Sequence, residues 1–518
     1  MYKLGIDVGG TNTDAVILDD HQKVVAHTKT HTTKDIQTGI SNAIHEVVQA
    51  SQINVQAINQ AMLGTTQATN AIVERKNLGQ VGVLRIGYPA TASIIPYTQW
   101  PEDIVQTLSG KYSLIHGGYE FNGDSLAPFS ESEIRDIVAQ WQGQVDAIAI
   151  VGVFSSINDD QERRTAALVH EILGADFPVS VSSEIGSVGL IGRENATILN
   201  AALFKVIQKV TVGFSKALQV EQIQAQEYLC QNDGTLMSLD YSEKYPILTI
   251  GSGPTNSIRG AAYLSGRQNA LVCDIGGTTS DIGALVNGFP RESSKAVSVG
   301  GVETNFRMPD ILSVGLGGGS IVRKQADGTI TVGPDSVGYA ITERAKAFGG
   351  DTLTTTDIAV RLGWVELGDP SLVADVPLAD AQQAMAVIQE ILETGIDQMK
   401  TSAEDVSVIL VGGGSIIAPK QLTGVSAIDT NQYGGVANAI GATIAQIGGE
   451  FEKMYQYVEI PREQALADAT KLATERAVSA GALADTISVV EILETPLSYA
   501  PGETTKVKVK VVGNASLN

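Results

Sequence analysis

Two large α/β lobes followed by a small C-terminal appendage is the architecture this sequence predicts, and three features predict it. The chain has 518 residues, more than one hydrophobic core usually organises, since cores stop growing near ~250–300 residues. Strand-like apolar runs alternate with helical periodicities, the pattern of α/β packing. An eight-residue segment also recurs. Asp7-Val8-Gly9-Gly10-Thr11-Asn12-Thr13-Asp14 returns 267 residues later as Asp274-Ile275-Gly276-Gly277-Thr278-Thr279-Ser280-Asp281, with five positions identical. One copy in each half predicts two related halves.

In chain order, the first lobe, residues 1–185, reads as strands near 2–8, 13–19, 81–86 and 145–154 and helices near 36–50, 66–78 and 160–174. Residues 88–130 carry Pro, Gly, Tyr and Trp without periodicity and are expected to form an irregular insertion near the mouth of a cleft. The second lobe is expected to span 186–450. Within it Ala384, Val387, Ile388, Ile391 and Leu392 recur at helical spacing, a core-facing stripe. The remaining 451–518 is expected to begin as helix, with a strand-like run at 487–493. Lys506 to Val511 then alternates like a half-exposed strand. This tail reads as a docking element or a partial third domain.

Composition narrows the partners. The formal charge of −22, from 35 basic and 57 acidic residues, repels nucleic acid and anionic membrane surfaces. Nucleotide binding stays open, because backbone N–H groups and a metal hold phosphates without a basic patch. Two cysteines, Cys230 and Cys273, give neither a disulfide framework nor a metal cluster. The expected location is cytoplasmic, since Met1 leads directly into a strand without a signal segment. The six histidines show no metal-ligand spacing.

The repeated segment carries the chemistry. An Asp at a strand end can hold Mg²⁺ or its water shell, and a Gly pair lets the backbone approach phosphate oxygens that a Cβ would obstruct. The expected phosphate contacts are Gly9, Gly10, Thr11, Asn12 and Thr13 in one loop and Gly276, Gly277, Thr278 and Thr279 in the other. A single copy would read as a hairpin turn; two copies read as a paired clamp. A third element, Val406 to Val411 followed by Gly412-Gly413-Gly414-Ser415, ends an apolar strand in glycines against which a purine can lie. Next, Gly434, Ala437 and Gly441 fall on one helical face suited to close packing against another helix.

This order of two Asp-Gly-Gly-Thr loops, a Gly-Gly-Gly-Ser after a strand and a small-residue helix resembles the actin/sugar-kinase/heat-shock ATPase superfamily. That resemblance implies two ribonuclease H-like lobes around a nucleotide cleft, with ATP and Mg²⁺ bound there. Leu63 to Lys76 further resembles the "HGTT-x-ATNALLERK" segment of the hydantoinase/oxoprolinase family, and Pro309 to Ile321 resembles its "DIHTVGAGGGSI". The family implies ATP-dependent opening of a cyclic amide by phosphorylation of the amide oxygen, often with a second protein subunit. Two positions depart from the pattern: Leu63 and Leu312 stand where the family has His.

Asp7 and Asp274 are the expected metal-binding residues and, together with Thr65 and Thr66 at a helix start, the expected catalytic ones. Asp14 and Asp281 are supporting acids or turn residues. Asn70, Asp310, Gly317 and Gly318 are the substrate candidates, and Glu184, Arg193 and Glu194 read as surface ion pairs or substrate contacts. A small-molecule kinase, a ketone-carboxylase-type subunit and a regulatory ATPase remain alternatives to the amidohydrolase, and homo-oligomerisation stays open.

Overall fold

A computed structural model of the chain describes all residues except 11, 34, 187, 294–296, 307, 499, 501 and 516–518. Three sheets organise it. The largest has nine strands, ordered Ser488–Pro496, Thr504–Gly513, Ile447–Gln456, Leu236–Ser238, Gln226–Cys230, Ile58–Thr65, Tyr2–Val8, Asn12–Asp19 and Val24–His31. The second runs Phe289–Pro290, Ser280–Val286, Ala270–Ile275, Val406–Val411 and Val425–Thr430, with Ile311–Val314 also pairing Ser280–Val286. The third has four parallel strands, Lys111–His116, Val81–Tyr88, Ala147–Gly152 and Val179–Val181.

The sequence repeat becomes a topological one. Tyr2–Val8 pairs antiparallel with Asn12–Asp19 and parallel with Ile58–Thr65. Ala270–Ile275 pairs antiparallel with Ser280–Val286 and parallel with Val406–Val411. Each half is therefore a tight hairpin followed by a strand that returns through a crossover.

Two helices lie between these sheets. Ile258 and Ala261 of Ser252–Ser265 pack on the second sheet through Val272, Leu285 and Ile409. Ala439 and Ile440 of Ala437–Ile444 pack on Val16 and Leu18 of the first. The helices touch through the small residues the sequence singles out. A Cβ at Gly441 would lie 1.9 Å from the Asn256 carbonyl oxygen, and one at Gly260 would lie 1.9 Å from that of Ala437. The stripe on Leu378–Met399 also faces the core: Ala384, Ile388 and Leu392 are fully buried, and Val387 and Ile391 pack beside them.

Two expectations fail for tertiary reasons. Residues 88–130 are not an irregular insertion, because Lys111–His116 is a parallel strand beside Val81–Tyr88 and Glu102–Thr107 is a helix. The tail is not an appendage, and it opens as the strand Ile447–Gln456 before the helix Arg462–Ser479. Its strands complete the nine-stranded sheet, which also recruits Gln226–Cys230, so divisions at 185 and 450 do not follow the sheets. Strand Thr504–Gly513 is buried on both faces. Val507, Val509 and Val511 enter the core against Ala469 and Ala473 of the tail helix. On the other face Lys508 is 1% exposed and neutralised by Glu292 at 2.6 Å and Glu450 at 2.8 Å. Alternating Lys and Val mimics a solvent-facing strand when the carboxylates that cover the lysines are distant in sequence.

Among the described residues no single helix is long and apolar enough to cross a membrane.

Candidate functional site

Both hairpins open into one cavity of about 630 Å³, lined from the two large sheets, within the ~300–1,000 Å³ usual for small-molecule sites. The turns are built alike: Gly9 N–H donates to Asn12 O at 3.0 Å, and Gly276 N–H to Thr279 O at 2.9 Å. In each, the two carboxylates are register partners, Asp7 with Asp14 and Asp274 with Asp281.

The returning strand supplies a glycine beneath each leading carboxylate. A Cβ at Gly64 would lie 2.2 Å from Asp7 Oδ1, and one at Gly412 would lie 2.3 Å from Asp274 Oδ1. One helix then holds both acids from consecutive residues. Asn256 Nδ2 donates to Asp7 Oδ1 at 3.2 Å, and Ser257 Oγ donates to Asp274 Oδ2. Asn438 Nδ2 adds a second bond to Asp7, at 3.3 Å.

Burial pushes Asp7 and Asp274 above the ordinary carboxylate range. The amides of Asn256 and Asn438 oppose the rise at Asp7, while the charge of Asp274 adds to it. Burial also raises Asp14 to about 6 against the pull of Lys29, and Asp281 to about 6 against the Ser313 hydroxyl. Four carboxylates facing one low-dielectric space disfavour their own charges, a cost that a bound cation relieves. Lys29 Nζ, 2.5 Å from Asp14 Oδ1, is the single Lys or Arg among the described lining residues. No three Asp, Glu, His or Cys side chains converge at metal-ligating distance among the described residues. An ion here would complete its shell with phosphate oxygens and water.

Glycines keep the space clear. At Gly10, Gly277, Gly413 and Gly435, all on the cavity wall, an added Cβ would meet nothing within 4 Å. Neither packing nor a positive φ demands glycine at these four positions, so what a side chain would take away is cavity. Beside Gly412 to Gly414 the wall turns apolar with Ile341, Phe348, Leu367 and Ile416, suited to an aromatic base. The helix Ser252–Ser265 begins at the wall, with Gly251 and Gly253 lining it, and directs its first N–H groups there.

Of the residues the sequence nominates, Asp7, Gly9, Gly10, Asn12, Thr65, Thr66, Asn70, Asp274, Gly276, Gly277, Thr278, Thr279, Gly318 and Gly412 to Gly414 line the cavity. Thr11 lies outside the described residues. Four others face elsewhere. Thr13 is buried, with its hydroxyl 3.2 Å from that of Thr32. Ser415 starts a 3-10 turn behind the glycines. Asp310 pairs with Arg291 at 2.7 Å. Gly317 backs the second hairpin, where a Cβ would lie 2.6 Å from Gly277 C. That loop braces the hairpin: Gly318 N–H donates to Gly276 O at 2.9 Å and Gly319 N–H to Gly277 O at 2.8 Å.

Thr66 caps helix Gln67–Glu74 without a side-chain bond to it; its hydroxyl instead accepts from Asn70 Nδ2 at 3.3 Å. Leu63 is buried in the core of the first sheet and Leu312 packs on that of the second, so neither faces the cavity. Arg193 and Glu194 are not surface ion pairs. Both are buried, Glu194 bonded twice to Arg85 at 2.6 and 2.5 Å and Arg193 bonded to Gly152 O at 2.7 Å. Glu184 accepts from the Tyr245 hydroxyl at 2.8 Å, away from the cavity. Sequence reasoning missed Lys29, Gly251, Asn256, Ser257 and Asn438. Only Gly251-Ser252-Gly253-Pro254, a glycine-rich helix start, gave a local signal.

Residues 3–173 match the model of the hydantoinase/oxoprolinase N-terminal region, and residues 193–371 match that of hydantoinase/oxoprolinase. The caprolactamase alpha subunit of Pseudomonas jessenii is 26% identical over 75% of this chain and 58% of its own length. The acetone carboxylase beta subunit of Xanthobacter autotrophicus is 27% identical over 70% of this chain and 54% of its own. The chain thus spans little more than half the length of these curated relatives. The crystal structure of the ATP-dependent caprolactamase from Pseudomonas jessenii superposes with a TM-score of 0.81 at 20% identity, covering 99% of this chain and 88% of the other. That likeness concerns the fold.

Proposed function

The chain belongs to the hydantoinase/oxoprolinase family, and on that premise we propose that it is a two-lobed ATPase that opens a cyclic amide at ATP expense. The observation that carries this reading is the pair of Asp-Gly-Gly hairpins on one cavity, with four glycines there that leave open space beside the backbone. The triphosphate lies between Gly9, Gly10 and Asn12 on one side and Gly276, Gly277, Thr278 and Thr279 on the other. The purine lies on Gly412 to Gly414, against Phe348 and Ile416.

Asp7 and Asp274 hold Mg²⁺ through its water shell, and the ion when bound neutralises phosphate charge. The buried carboxylates of Asp7 and Asp274, whose charges burial disfavours, support this fit. Lys29 is placed to meet the terminal phosphate, with Asp14 as its resting partner. Thr65, Thr66 and Asn70 face the amide from the opposite wall. An unactivated lactam is a poor electrophile. Transfer of the γ-phosphoryl group to its carbonyl oxygen makes the ring carbon attackable: one water adds there, the C–N bond breaks as the ring nitrogen takes a proton, and a second water hydrolyses the resulting acyl phosphate to free phosphate and the opened amino acid.

The relatives named as subunits support a second polypeptide as partner. The carboxylase relative supports one alternative, phosphorylation of an enolate followed by carboxylation. Incubating the chain with lactams and ATP, with and without bicarbonate and the product of any adjacent coding region, separates the readings. The amidohydrolase gives one ADP per ring opened. A stable phosphorylated product marks a kinase, bicarbonate-dependent acid formation a carboxylase, and ADP without substrate chemistry a regulatory ATPase.

A further inference from the structure

Besides the nucleotide cavity, the protein has a second chamber of about 120 Å³, lined by Ser183 to Gly186, the nine-stranded sheet and the tail helix. We propose that this chamber holds the body of the substrate, a compact cyclic amide, beside the nucleotide; this rests on the amidohydrolase reading above.

The partition between the spaces is thin. Gly251 lines the nucleotide cavity and Met308 lines the chamber, and a Cβ at Gly251 would lie 3.0 Å from Met308 Cε. A methionine thioether on three rotatable bonds is an easily displaced divider. The volume is close to the ~150 Å³ cavity that accepts benzene, which suits a five- to seven-membered ring. Ile247, Phe306 and Met308 give the chamber apolar surface.

Its acids are already paired. Every described acid on the wall has a lysine partner: Glu184 with Lys244 at 3.0 Å, Asp233 with Lys510 at 2.8 Å, Glu292 and Glu450 with Lys508 at 2.6 and 2.8 Å, and Glu452 with Lys506 at 3.4 Å. Three groups on the wall can donate hydrogen bonds. The Ser183 hydroxyl oxygen is buried without a hydrogen-bond partner among the described residues. The Tyr241 hydroxyl makes no hydrogen bond among them either. Arg476 donates to the Glu450 carbonyl at 3.1 Å and makes no ion pair among the described residues. A buried hydroxyl without a partner is costly, and a ring oxygen other than the phosphorylated one satisfies Ser183, with Tyr241 and Arg476 on the same wall. Sequence comparison by spacing could not join Ser183, Tyr241 and Arg476, which meet only when the tail helix closes on the sheet.

The test is saturation-transfer NMR of a six-membered lactam, and of the same ring bearing a carboxylate, on the full chain with Mg-ADP. Nucleotide affinity is measured in parallel. Transfer to either ring is expected in the unaltered chain. Ser183→Leu, which fills the chamber, should weaken ring binding at least tenfold with nucleotide affinity unchanged. Tyr241→Phe, which keeps the ring packing, should weaken it about threefold to tenfold. Transfer equal in all three proteins, or none to the unaltered chain, overturns the proposal. Failure of the unaltered chain to bind nucleotide would sink the ATP reading instead, while the contrast between the variants still judges the chamber.

Discussion

The hairpins at 7–14 and 274–281 share a register, a turn bond and a glycine beneath the leading acid, yet they hold their carboxylates differently. Asp7 receives two amide donors, and Asp14 sits against Lys29. Asp274 and Asp281 receive hydroxyls, from Ser257 and Ser313. An amide N–H₂ can only donate, so it favours the ionised acid, whereas a hydroxyl donates or accepts and serves either protonation state. The two halves keep a common backbone cradle and differ in electrostatics. We propose that the chemistry rests on the first hairpin, whose leading acid is held by amides that favour its ionised form, while both hairpins hold the phosphates.

The largest expected effect tests that assignment. Asp7→Asn should lower ATP turnover by about 10²–10³-fold, the cost of removing a group aimed at transition-state charge, and Asp274→Asn should act mainly on nucleotide affinity. Steady-state kinetics of both variants check it; equal losses of kcat would erase the distinction. Lys29→Met comes next. Losing one charge-assisted contact to phosphate should weaken ATP by about 1.5–3 kcal/mol, read by calorimetry, while AMP binding stays unchanged.

Gly441→Ala sharpens the comparison through packing. Its Cβ would meet the backbone of Asn256, so overpacking should cost about 1–3 kcal/mol of stability and disturb Asp7 more than Asp274. Urea denaturation and the two kinetic constants measure both effects.

The smallest effect is on pH. Asp14 and Asp281 sit at about 6 in the folded chain, against an ordinary value of 3.8. Between those values the folded state binds more protons than the unfolded one. Stability from these groups is therefore full below the ordinary value and is lost as pH rises through about 6. Urea midpoints of the nucleotide-free chain should fall from pH 5 to 7, and Asp281→Asn should flatten that slope. The absence of any slope would place the carboxylates in solvent.

What the sequence disclosed follows from how local each feature is. The hairpins and the small-residue helix were legible because their chemistry is contained in eight or nine consecutive residues. Asp310 and Gly317 sit in a motif of similar appearance but face away, because that loop braces the second hairpin and lines little of the cavity itself. Lys29 is one lysine on an ordinary strand, and its importance comes from the charges of Asp7, Asp14 and Asp274 that the fold brings near it. The glycines beneath Asp7 and Asp274 repeat the internal symmetry outside the matched segments, in strands whose pairing no local pattern reveals. The buried lysine face of Thr504–Gly513 was misread for the same reason, since Glu292 lies more than 200 positions away.

The most direct test of the central claim is the affinity of Mg-ATP, ADP and AMP for the unaltered chain, Gly10→Ala and Gly277→Ala. A Cβ at either position meets no protein atom within 4 Å, so both variants should fold normally. Calorimetry should show each alanine weakening ATP at least tenfold while AMP binds as before. Unchanged ATP affinity in both variants would mean that the triphosphate does not lie between the hairpins.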